Sequence, residues 1–171
     1  MMLIADNHLI LILRSDEMPT HKGQIAFVGG HKHANEEEPI VTALRELQEE
    51  TLIDEVEVLG LVHPVKTSTQ SVIVPVIAKT NLKIPELFSL VKSNGEWTEM
   101  FAIALPDFHD SSRWCVGVKK TVTLAHDELY FFSILPNSYS SYNNTPQLSH
   151  CLWGASAQMV WNALSILSKE F

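Results

Sequence analysis

The chain of 171 residues is sparing with the residues that punctuate and staple a fold: seven Gly, eight Pro and two Cys. So little Gly and Pro, beside 46% hydrophobic residues, excludes collagen-like and disordered chains. Cys115 and Cys151 stand far apart with no CxxC, which argues against a disulfide framework or a cysteine zinc site and for a reducing compartment. No apolar run approaches the ~20 residues of a bilayer span, and residues 1–6 lack both the basic start and the apolar stretch of a signal peptide. Basic residues are outnumbered, 12 Lys and Arg to 20 Asp and Glu, and no basic patch with interleaved aromatics suggests a nucleic-acid partner. The expectation is one cytoplasmic domain, residues 1–171, that is an enzyme or a binding module.

The net charge of −8 has an address. Residues 36–57 hold nine acids and a single base, Arg45, while acids and bases balance over the rest of the chain. A diffuse acidic surface would concern solubility alone; a concentrated one asks for a local cause.

Residues 1–5 and 9–13 are apolar runs around Asp6-Asn7 and predict a short hairpin. Residues 14–24 are a polar loop with Pro19 and Gly23. Residues 25–28 predict a short strand running into Gly29-Gly30, followed by a polar loop, 31–38. A helix is expected from Pro39, a residue suited to the first helical position, to Glu50. Residues 56–65 and 71–78 predict strands separated by a turn at 66–70. Residues 79–99 are read as a mixed connection, and further strands are expected at 100–104, 114–118 and 130–134. Trp153, Ala157, Val160, Trp161, Leu164 and Leu167 recur at the helical period, so a last helix is expected with Trp153 and Trp161 in the core. The pattern is α+β, or α/β/α, with two principal helices.

On a helical wheel of about 100° per residue, with Glu46 at zero, Glu49 falls near 300° and Glu50 near 40°. Three carboxylates therefore share one arc, while Ile40, Leu44 and Leu47 form a separate apolar face for docking on a sheet. Like charges one turn apart repel by a few tenths of a kcal/mol. A solvated face tolerates that; hard divalent cations such as Mg²⁺ or Mn²⁺ would turn it into attraction.

Gly29-Gly30 precede this helix by one short loop, and their backbone N–H groups could approach phosphate oxygens. Gly30, Glu37 and Arg45-Glu46-Leu47-Gln48-Glu49-Glu50 make one spaced pattern, and residues 30–53 resemble the Nudix box, the signature of hydrolases that cleave nucleoside diphosphates linked to another moiety. The spacer after Gly30 is six residues instead of the usual five, and Leu52 stands where the family has Gly. Ile10-Leu11-Ile12-Leu13-Arg14-Ser15, then His21-Lys22-Gly23-Gln24 and Phe27-Val28-Gly29-Gly30, are similar to the extra motif of the coenzyme A pyrophosphatase branch. Leu152-Trp153-Gly154-Ala155-Ser156-Ala157 is similar to that branch's tail. Ile12 replaces a Thr, Pro19 a second Arg, and Val28 a Pro.

The resemblance implies an α/β/α sandwich with a mixed sheet between helices, and a Mg²⁺- or Mn²⁺-dependent hydrolase. Glu46, Glu49 and Glu50 would hold the cations, and Glu37 with Arg45 would form an ion pair pinning loop to helix. Glu50, Glu96 and Glu99 are the candidates for general base. Arg14, His21, Lys22, Gln24, Gly29 and Gly30 are the candidates for contacts to substrate phosphates. His31 and His33, flanking Lys32, lack further ligands at zinc spacing and read as solvated loop. Implied for substrate is coenzyme A or a derivative, cleaved to a phosphopantetheine and adenosine 3′,5′-bisphosphate. The alternatives are another nucleoside diphosphate derivative (ADP-ribose, a nucleotide sugar, a dinucleotide) or a catalytically silent nucleotide sensor. The partner is a small-molecule nucleotide, with homodimerisation left open and no nucleic-acid or membrane partner.

Overall fold

A computed structural model describes residues 1–36, 38–67, 70–120, 126–143 and 150–169. The chain opens with a hairpin, β1 (Met2–Ala5) and β2 (His8–Arg14), turning through Asp6 and Asn7. Both turn residues have positive φ, 46° and 62°, the conformation whose twist matches a two-residue hairpin. A short β3 (Ile25–Ala26) pairs with β2 and leads to α1 (Pro39–Thr51). Then follow β4 (Glu57–Leu61), β5 (Val65–Lys66), β6 (Val72–Ile73) and β7 (Val76–Thr80). After α2 (Ile84–Leu90) come β8 (Trp97–Ala104), β9 (Trp114–Lys120), β10 (His126–Ile134), β11 (Tyr139–Ser141), β12 (His150–Trp153) and α3 (Gly154–Leu167).

The main sheet runs β11-β8-β2-β1-β7-β4, with β3 added on β2. It is mixed, because β1 is antiparallel to β2 and parallel to β7. β1 is central and buried on both faces, which is why its residues are uniformly apolar. On one face Leu3, Ile10, Ile12 and Ala102 pack against Ala43 and Leu47 of α1 and Leu87 of α2. On the other, Ile4, Leu9, Leu11 and Phe101 meet Val160 and Ala163 of α3 and the three-stranded sheet β12-β10-β9. The result is an α+β fold with the mixed sheet between helical layers. No helix among the described residues is long and apolar enough to cross a membrane.

Several expectations need correction. The strand expected over 56–65 divides into β4 and β5, and the one over 71–78 into β6 and β7. Pro64 and Pro75 lie at the breaks, where a missing N–H interrupts a ladder. Residues 79–99 contain α2, whose seven residues are too few to display a helical period. β8 begins three residues earlier than expected, at Trp97. Trp153 belongs to β12 and is exposed, and Trp161 is also exposed, its ring lying against those of Trp114 and Tyr130 at 5.0 and 5.2 Å. Ala157, Val160, Ala163 and Leu167 supply the buried stripe of α3 instead.

Candidate active site

The buried residues of α1 are Thr42, Ala43, Leu47, Glu50 and Thr51, while Ile40 and Leu44 are half-buried. The docking face is thus rotated from the expected Ile40–Leu44–Leu47 stripe toward the acids, and Glu50 falls on its border. That placement separates the three carboxylates. Glu50 is 1% exposed, Glu46 is half-buried, and Glu49 is exposed.

Glu50 Oε1 accepts a hydrogen bond from the Gly29 N–H at 2.9 Å, while its buried Oε2 has no partner among the described residues. Burial raises its pKa from 4.5 to about 7, and the charges of Glu96 and Glu46 push the same way. The N–H of Gly29 is therefore committed to Glu50. Gly30 makes a different contact: a Cβ built on it would stand 2.6 Å from Glu46 Oε2, so glycine lets the loop approach that carboxylate without pushing it aside.

Arg45 lies at the centre of an ion-pair network. Its Nε donates to Glu36 Oε1 at 2.6 Å, and its terminal nitrogens reach Glu49 Oε2 and Glu46 Oε1, both at 2.8 Å. One of them also donates to the His31 carbonyl at 3.1 Å. Glu36 is buried and accepts from the His33 N–H at 2.8 Å and the Thr42 hydroxyl at 2.7 Å as well. The Arg45 guanidinium, chiefly, with His33 and Thr42, holds the Glu36 carboxyl down at about 2, and the pKa of Arg45 is raised in turn. Arg45 thus pins the 31–36 loop to the helix through Glu36, a residue that sequence reasoning passed over. Glu37, the expected partner, lies outside the described residues. The signal for Glu36 was present, since a five-residue spacer from Gly30 ends on it.

The other expected residues fall in three places. Glu96, half-buried just before β8, is close enough to Glu50 to act on its titration. Glu99 is buried but shares its strand parity with Phe101 and Ile103, on the sheet face away from α1. Its Oε1 accepts from the N–H groups of Met100 and Asn143, both at 3.0 Å, so it ties two backbone segments together and is not gathered with Glu50. Arg14, at the end of β2, pairs with Trp97 in register and has a buried Nε without a partner among the described residues. Its backbone bonds Gly23 and Gln24, which places the 21–24 turn beside it; there His21 Nδ1 bonds Gln24 Oε1 at 3.1 Å, and His21 and Lys22 are exposed.

No three His, Cys, Asp or Glu side chains among the described residues are already gathered as a metal cage. Glu46 and Glu49 lean on Arg45 instead. Even so, the donor set suits a hard divalent cation: among the described residues Glu50 has a buried oxygen without a partner, and the Glu46 carboxylate lies against Gly30, where a Cβ would collide with it. Glu49, exposed and paired with Arg45, fits least well.

A mixed sheet that presents an acid-rich helix behind a Gly-Gly turn, with one carboxylate kept buried and short of a partner, defines a class of site that handles charged oxygens. The chain belongs to the Nudix family: the NUDIX domain profile matches residues 1–115. It is similar to an uncharacterized Nudix hydrolase, NudL, of Citrobacter koseri, 34% identical over 127 residues, which are 72% of this chain and 66% of the relative. A NudL of Yersinia pestis is 37% identical over 79 residues, 45% of this chain and 40% of the relative. The chain thus spans between two fifths and just under two thirds of these relatives' length. Among solved structures, a C. elegans Ap4A hydrolase in a binary complex matches with a TM-score of 0.49 at 17% identity, over 61% of this chain and 78% of that one.

Proposed function

We propose that the protein is a divalent-cation-dependent Nudix pyrophosphohydrolase acting in the cytoplasm on coenzyme A or its derivatives. The observation that carries the reading is Glu50, a buried carboxylate with one oxygen unpartnered, beside Glu46, Glu96 and the Gly29-Gly30 turn. Glu50 and Glu46 would hold Mg²⁺ or Mn²⁺, with Glu49 joining on release from Arg45. The bound cation supplies neutralisation of the pyrophosphate charge and a lowered pKa for attacking water. Gly30 gives phosphate oxygens close backbone approach, and Arg45 with Glu36 keeps the loop in register with the helix. Glu96, whose charge acts on Glu50, would take the proton of the attacking water, in preference to Glu99, whose Oε1 is engaged by the Met100 and Asn143 N–H groups. Water attacks one phosphorus, the bridging P–O bond breaks, and the products are a phosphopantetheine and adenosine 3′,5′-bisphosphate.

The coenzyme A assignment rests on the resemblance of residues 10–30 and 152–157 to the branch motifs, within which Arg14 is the candidate guanidinium for a phosphate. A second reading, another nucleoside diphosphate derivative, is favoured by Pro19, which stands exposed where the branch has a second Arg. A substrate panel with Mg²⁺ or Mn²⁺ distinguishes them: coenzyme A, dephospho-coenzyme A, ADP-ribose, NADH and nucleotide sugars. The expected result is preference for coenzyme A over its dephospho form. Preference for any compound lacking the 3′-phosphate overturns the assignment, and turnover of none supports the silent sensor.

A further inference from the structure

The last carbonyls of a helix have no intrahelical donor. At the end of α1 these groups find different partners: the Gln48 carbonyl accepts from the Leu52 N–H at 2.9 Å, and the Glu50 carbonyl accepts from the indole Nε1–H of Trp97 at 2.9 Å. Trp97 is 47 residues away in sequence and fully buried, and it immediately follows Glu96. We propose that Trp97 is a positioning residue: its indole N–H holds the backbone of Glu50 and so fixes that carboxylate relative to Glu96. This rests on the reading of Glu50 and Glu96 given above.

Both ends of the link are clamped. The Trp97 ring meets Tyr142 edge-on at 5.5 Å, and its carbonyl accepts from the Ser93 hydroxyl. Glu96 is held through its backbone, its carbonyl accepting from the Ser15 N–H at 2.8 Å and its N–H donating to Asn94 Oδ1 at 3.0 Å. On the helix side, the Gly29 N–H holds Glu50 Oε1. A strand start and a helix end, each carrying one acid of the site, are therefore tied by a buried donor. Any large apolar ring could fill the space; only the N–H makes the tie, and a buried indole N–H must find a partner. Without it, the Glu50 carbonyl loses this donor at the final turn of the helix. A displacement of about 1 Å in such a site costs on the order of 100-fold in rate.

The test replaces Trp97 with its benzothiophene analogue, in which sulfur substitutes for the N–H at nearly constant shape, alongside Trp97→Phe. Steady-state kinetics and Mn²⁺ affinity by electron paramagnetic resonance titration are compared with the unaltered protein. In the analogue, kcat and Mn²⁺ affinity should each fall about 10- to 100-fold, as for other residues that orient a metal ligand, with KM nearly unchanged. Native-like kcat and Mn²⁺ affinity in the analogue overturn the proposal, whatever happens to Tm, as does an effect confined to KM. If Trp97→Phe fails to fold, the analogue decides. Glu50→Gln separates the two levels: normal turnover there defeats the reading of the site itself, whereas an inactive Glu50→Gln beside a native-like analogue defeats only the role of Trp97.

Discussion

Gly30 has no side chain, and the space where one would begin is occupied by the Glu46 carboxylate. Substitution by alanine forces aside the far end of a flexible side chain, which the fold tolerates and the site does not. Gly30→Ala should therefore keep stability within about 1 kcal/mol, measured by urea unfolding, while lowering turnover at least tenfold. Unchanged turnover would detach Glu46 from the chemistry. Glu36, in the loop bonded to α1, and Glu50, on α1 itself, show how one residue type takes opposite states around one helix. Glu36 is surrounded by donors and held at about 2, so its contribution to stability is present above pH 4.5 and fades as pH falls toward 2. Glu50 is buried, with the Gly29 N–H as its donor, and is pushed up to about 7, so the folded state favours its neutral form.

At the scale of elements, α1 ends on Leu52, which has φ 66°, a left-handed conformation that favours glycine. Its side chain is exposed, so little packing compensates the strain. Leu52→Gly should stabilise the protein by about 1 kcal/mol in chemical unfolding, and destabilisation would show that the leucine makes a compensating contact. The element bearing the site was legible in the sequence: Pro39 marked its start, Arg45 to Glu50 its acidic arc. The hairpin was equally clear from the turn residues Asp6 and Asn7. What was not legible lay across space. Periodicity placed Glu50 among three similar acids, but its burial depends on the sheet beneath Ala43 and Leu47. Alternation could not put Glu99 on the opposite face until the start of β8 was known. The Trp153 and Trp161 pattern matched a helical stripe, yet β12 takes the first and the ring cluster with Trp114 and Tyr130 takes the second to the surface. The choice of Glu36 as the partner of Arg45 required the path of the 31–36 loop.

For the whole molecule, the charge of −8 belongs to residues 36–57, and cations bound there should stabilise it beyond ordinary screening. At 100 times its Kd, Mg²⁺ should add about 2.7 kcal/mol, or roughly 5–10 °C in Tm by calorimetry. An equal shift in NaCl of matched ionic strength would reduce the effect to screening. The cost of keeping Glu50 buried appears in the same molecule: without cations, the contribution of its neutral form should be fully present at pH 4.5 and be lost, by about 3 kcal/mol, as pH rises through 7, since the native pKa exceeds the unfolded one. Turnover and stability of Glu50→Gln, measured side by side at pH 8 with and without Mg²⁺, bear on this directly. The variant should lose activity by on the order of 1,000-fold or more while its cation-free stability equals or exceeds that of the unaltered protein. Near-normal turnover, or an unfolded variant whose loss of activity merely follows its loss of structure, would contradict the assignment of Glu50 as the buried carboxylate on which the site depends.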